Sequence, residues 1–117
     1  APPAARNLDL VTFNFNYHDT VWIGTDRARM NRAVFDALKR GGVYIVADHS
    51  ARPGAGLSVA KSLHRIEESV VRREVLAAGF RLAESAEFLR NSEDRRDVPV
   101  SKNTVRNDEF VLKFVKP

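Results

Sequence analysis

The sequence contains no cysteine, which excludes disulfides, thiolate metal sites and a cysteine nucleophile. That absence suits a cytoplasmic and an exported, periplasmic protein equally, so localisation stays open. Nor is there an apolar run near the roughly 18 residues that a bilayer span requires. The opening APPAARNLDL lacks a basic stretch followed by an apolar one, and no membrane partner is expected. An excess of one charge sign is also small. The 19 basic and 15 acidic residues leave +4, spread along the chain with a modest concentration from Arg90 to Arg106. No basic stripe is interleaved with aromatics, so no nucleic-acid partner is expected. Internal repeats and low-complexity segments are absent.

What remains is an ordinary globular composition, with 44% hydrophobic and 29% charged residues in 117. A chain of this size buries roughly two thirds of its unfolded surface, enough for one core without covalent staples. A single domain over residues 1–117 is expected.

From residue 8 to 16 the chain alternates. Val11, Phe13 and Phe15 point one way and Thr12, Asn14 and Asn16 the other, the period-two spacing of a strand. Thr25 then reads as a helix N-cap, with Asp26 favouring the positive helix end, before Met30, Ala33, Val34, Ala37 and Leu38 at amphipathic spacing. Lys39 and Arg40 complement the other end, and Gly41-Gly42 stops the helix. VYIVA, residues 43 to 47, is continuously apolar, as in a parallel strand covered on both faces. ARPGAGLS, residues 51 to 58, is a Gly/Pro loop. A second helical face carries Ile66, Val70, Val71, Val75 and Ala78 and ends at Gly79. Residues 80 to 83 read as a short strand, 90 to 107 as a polar loop, and 110 to 115 as the last strand.

Four pieces in register resemble the carboxy-terminal half of a class I S-adenosylmethionine-dependent methyltransferase. DLVTFNFNYH, residues 9 to 18, is similar to the family's fourth strand, with Asn14 and His18 at its characteristic positions. LKRGG, residues 38 to 42, resembles the turn before the fifth strand, with Arg40 in place of the usual proline. VYIVADHS places Asp48 at a strand end where the family often has an acid. EVLAAGF, residues 74 to 80, with a terminal strand closing on Lys116-Pro117, is similar to the family's final hairpin. The longer string NYHDTVWIGTDRARMNRAVFDALK resembles a bacterial subgroup of methyltransferases whose members are often exported. The resemblance implies an α/β fold, half of a Rossmann-like sheet in the order 4-5-7-6 in family numbering, with an antiparallel last strand and two main helices. It also implies S-adenosylmethionine as cofactor of the complete domain. The family's Gly-rich loop and ribose-binding acid are not in this sequence, so the chain alone is expected neither to hold the cofactor nor to be active. RPGAGLS lacks the family spacing and reads as a substrate-side loop.

In open α/β sheets, ligands bind beyond the carboxyl ends of parallel strands, where both NYHD and DHS fall. The resemblance then implies that Asn14 and Asn16 face the cofactor, and that Tyr17 and His18 face a small-molecule acceptor. Asp48 and His49 approach from the neighbouring strand. His18 or His49 is the candidate general base, oriented by Asp19 or Asp48. These residues and His64 include enough nitrogen and oxygen donors for a metal, but no spacing such as His-x-x-x-His supports one, and none is assigned. Asn14 to Tyr17 is also similar to the Asn-x-x-Tyr frame of amino-group methyltransferases without its two prolines. Trp22 reads as either pocket lining or packing, His64-Arg65 as a surface or capping pair, and residues 90 to 107 as a solvated insertion.

A non-catalytic oligomerising or binding module derived from the same fold is the alternative, and an unrelated small α/β ligand-binding domain ranks behind it. The first strand would be an uncovered edge, able to pair with a second copy or with the rest of a sheet.

Overall fold

A computed structural model of the chain describes residues 5–117, and the first four residues of the expected domain lie outside the described ones. The strands are β1 (Leu8–Asn14), β2 (Leu38–His49), β3 (Arg81–Ala86) and β4 (Glu109–Val115). The helices are α1 (Asp19–Trp22), α2 (Arg27–Ala37), α3 (Ala60–Leu63) and α4 (Glu68–Ala77), with a 3-10 turn at Val100–Lys102. The sheet order is β1-β2-β4-β3, with β1 parallel to β2 and β4 antiparallel to both its neighbours. This is the order and the antiparallel strand that the resemblance implies.

Register puts Val11, Phe13, Tyr44, Val46, Leu112 and Phe114 on one face of the sheet. Helices α2 and α4 cover this face and touch each other. Tyr44, Val46, Leu112, Phe114, Val71 and Val75 are all fully buried there, joined by Val34 and Phe80. The other face carries Leu10, Val43, Ile45, Val111 and Val115, which are half-buried or exposed. The apolar run 43 to 47 therefore does not sit between two layers as its composition suggests. Only one of its faces is covered by described residues.

Helix α2 starts one residue later than expected. Asp26 is the N-cap, accepting the Arg29 N–H at 3.0 Å, because its short carboxylate reaches the free amides of the first turn. The helix ends at Ala37, and Leu38 is already extended. Lys39 to Gly42 thus belong to the start of β2, where the pairing with β1 jumps from Leu8↔Leu38 to Leu10↔Val43. Gly41 has φ +80°, and a Cβ on Gly42 would lie 2.8 Å from the Lys39 carbonyl oxygen, so this irregular entry needs both glycines. Strand β3 covers Arg81–Ala86 rather than 80 to 83, and α3 is a short helix not legible in the pattern.

Candidate active site at the carboxyl ends of β1 and β2

Strand β1 ends at Asn14, and Phe15 follows with φ +64° while its N–H still bonds to Ala47 O at 2.7 Å. A left-handed residue changes which side the next residues face. As a result Phe15, expected on the side of Val11 and Phe13, stacks on His49 of the other face, and the chain returns at Tyr17 to the side of Phe13. Tyr17 turns under the sheet and is fully buried, with its hydroxyl donating to Glu74 Oε1 at 2.8 Å and accepting from Asn31 Nδ2 at 2.9 Å. Asn31 accepts from Tyr44, and Glu74 forms a two-point pair with Arg27. Burial, aided by the Glu74 charge, pushes the Tyr17 phenol far above its ordinary range. Tyr17 thus joins α1, α2, α4 and β2, and the structure does not bring it to the polar cluster with the other residues.

His18 and Asp48 do meet. His18, the N-cap of α1, sends Nδ1 to Asp48 Oδ1 at 2.8 Å, and its backbone N–H donates to Asp48 Oδ2 at 2.8 Å. Asp48 also accepts the His49 N–H at 2.7 Å and is fully buried. An ionised carboxylate only accepts, so Nδ1 carries the proton and the lone pair of His18 lies on Nε2. Burial opposes the imidazolium, but the hydrogen bond and charge of Asp48, with the nearby Asp19, outweigh it and raise the His18 pKa above its ordinary value. This is a carboxylate-oriented imidazole spanning two adjacent parallel strands.

His49 lies on the opposite face. Phe15 stacks on its ring at 5.2 Å between centroids, and its Nδ1 is 2.7 Å from Glu109 Oε2 on β4. That short contact is out of line for a hydrogen bond, since Nδ1 counts as a buried atom without an aligned partner. The His18 and His49 rings are 6.0 Å apart. Asn14 and Asn16 are both exposed near the end of β1.

His64, which the sequence reading set in a surface or capping pair and counted only as a possible donor, stands beside His18. It ends α3 in the left-handed region, φ +54°, and its ring meets that of His18 edge to face at 5.4 Å. Asp19 lies beside them, with Oδ1 3.3 Å from His18 Nε2 and accepting from Trp22 Nε1 at 3.0 Å. Trp22 is exposed, with Lys61 over its ring.

The surface reading of Arg65 is corrected. It is fully buried and binds Asp94 through both terminal nitrogens, at 2.8 and 3.2 Å, and the carbonyls of Ser50 and Val98. The segment from 90 to 107 is thereby tied to the end of β2 rather than projecting as a solvated insertion. A depression of about 330 Å³ is lined by Ser50, Glu67, Arg72, Arg90 and Arg96, and neither His18 nor Asp48 contributes to its wall. The Gly-rich loop is no cofactor cradle, because the amides of Gly54 and Gly56 both donate to Glu67 Oε1 at 2.9 Å. Both glycine amides of the loop are therefore already paired with Glu67, and neither is free to meet a cofactor.

No protein-family model matches the sequence, and no curated protein is similar to it at a significant level. Solved structures are similar in fold. The [4+2]-cyclase SpnF matches with TM-score 0.67 and 14% identity over 100% of this chain and 54% of its own. An S-adenosylmethionine-dependent methyltransferase from Methanosarcina mazei matches with TM-score 0.63 and 12% identity, covering 96% of this chain and 60% of its own. One from Mesorhizobium loti matches with TM-score 0.58 and 16% identity, covering 95% and 62%. The chain therefore spans between half and two thirds of the length of these proteins. Together with the strand order, these likenesses establish a class I S-adenosylmethionine-dependent methyltransferase-like fold.

Proposed function

We propose that this chain is the carboxy-terminal portion of an S-adenosylmethionine-dependent methyltransferase and supplies the acceptor side of its crevice, for a small-molecule acceptor. The observation that carries this reading is the buried His18–Asp48 pair at the carboxyl ends of two parallel strands, the place where ligands enter such sheets. In a complete domain the cofactor would supply the electrophilic methyl group. His18 Nε2 takes the proton of the acceptor group, and Asp48 holds the ring in the required tautomer and stabilises the charge it gains. His49, held against Glu109 and Phe15, borders the same strand end.

The exposed edge of β1 and the open sheet face with Leu10, Val43 and Ile45 support association with further sheet and helix, either from a longer form of the protein or from a second copy. Calorimetric titration of S-adenosylmethionine tests the reading. Saturable binding is expected for the protein as its gene encodes it and not for these 117 residues alone. Absence of binding in both would overturn it. A non-catalytic oligomerising or binding module of the same fold is the second reading, favoured by the uncovered edge of β1 and the open apolar face beside it.

A further inference from the structure

We infer that His18, Asp19 and His64 form a binding site for a divalent first-row transition ion. The donor atoms of the three side chains lie within 4.8 Å of one another. Ligands around a tetrahedral ion at about 2.1 Å are roughly 3.4 Å apart, so closing the set takes only a modest rotation of side chains. Two of the three have room to rotate, as Asp19 and His64 are partly exposed and only His18 is held fast.

The surroundings of His18 are those of a metal ligand. Its Nδ1 is bound by the buried Asp48 at 2.8 Å, the carboxylate–histidine arrangement that fixes the tautomer, aims Nε2 at the ion and raises its basicity. Asp19 is oriented in turn by Trp22 Nε1, which donates to Oδ1, the oxygen 3.3 Å from His18 Nε2. The short helices α1 and α3 pack together and bring residues distant in sequence to one point. His64 reaches it only by taking a left-handed conformation that costs a non-glycine residue energy.

Two imidazoles and one carboxylate suit Zn²⁺, Co²⁺ or Fe²⁺ rather than Mg²⁺ or Ca²⁺, which prefer all-oxygen shells. With neutral rings, the charges of Asp19 and Asp48 balance a divalent ion. Three protein ligands leave a position open to solvent or substrate. Ion and proton compete for the same Nε2 lone pair, so the site's role rests on the acceptor-side reading and deepens it: a bound ion would hold the acceptor group at the open position and lower its pKa, its proton leaving to solvent instead of to His18.

The test uses the protein as its gene encodes it, stripped with chelator and titrated with ZnCl₂ in a calorimeter, with the visible absorption of Co²⁺ as a second readout. One ion per chain is expected. His64→Ala and Asp19→Asn should each weaken Zn²⁺ binding at least about tenfold, and Asp48→Asn about 10- to 100-fold although it touches no ion. Asp97→Asn, a remote acid, should leave it unchanged. Thermal melts of the His64 and Asp19 variants, whose side chains are partly exposed, separate loss of the site from loss of the fold. No saturable uptake, or uptake unmoved by His64→Ala and Asp19→Asn in folded protein, would overturn the inference. Neither result depends on S-adenosylmethionine, so this site and the methyltransferase reading fail separately.

Discussion

Arg65 and Asp94 form a two-point ion pair with side chains 0% and 1% exposed, binding residue 65 to a segment almost thirty positions away. Cutting such a pair leaves a buried charge alone. Arg65→Ala should lower unfolding stability by about 3–5 kcal/mol, measured by urea denaturation, and should increase proteolysis between residues 90 and 107.

The same carboxylate sets an acid limit. Burial alone would raise its pKa, but Arg65, the amides of Asp108 and Arg96, and Asn103 together lower it to about 2. A group depressed in the folded state stabilises above its unfolded pKa and loses that contribution as pH falls through the folded value. Stability should therefore decline as pH drops from about 4 toward 2, by about 2 kcal/mol from this group. Asp94→Asn should flatten that part of the curve in acid titrations followed by circular dichroism.

Tyr17→Phe removes a hydroxyl that both donates and accepts inside the core, leaving Asn31 Nδ2 and Glu74 Oε1 each short of a partner. A loss of about 1–3 kcal/mol is expected in a denaturant melt. A change below a few tenths would show that water takes over the bonds.

How much of this could be read from the sequence follows from the range of each signal. Period two located β1, period 3.6 located α2 and α4, and a continuous apolar run located β2, because each signal lies within one element. The order of the strands came from the resemblance, and so did Asp48. Alternation put Phe15 beside Val11 and Phe13, but its left-handed backbone turns it against His49 on the other face, while Tyr17, which the resemblance placed at the acceptor, packs in the core beside Phe13. The contacts of His64 with His18 and of Arg65 with Asp94 are long-range and non-periodic. Nothing in a window of ten residues around SLHRIE could show them.

In the acceptor-side reading, Asp48→Asn keeps the shape of the His18 contact but removes its charge and disturbs the tautomer. For the protein as its gene encodes it, a fall in kcat of about 10²–10⁴ is expected with KM little changed. Equal and modest effects on both would point to a purely structural role for the pair.

Leu10 is 54% exposed on the edge strand and belongs to the open apolar face. Leu10→Lys should shift any self-association toward smaller species in sedimentation velocity, because a charged edge resists strand pairing. An unchanged profile would place the association surface elsewhere.

Strand β4 enters the sheet between β2 and β3 and is hydrogen-bonded to both, although it follows them in the chain. It pairs with β3 across the loop of residues 87–108 and with β2 across a much longer stretch of chain, so within the sheet the two strand–helix units are joined through it. Lys116, just past β4, then binds the carbonyls of Phe35 and Leu38, fastening the newcomer to the junction of α2 and β2. Without β4 the sheet would divide into the β1-β2 pair and a lone β3. Nicking the chain before residue 109 should release both units together and spare neither.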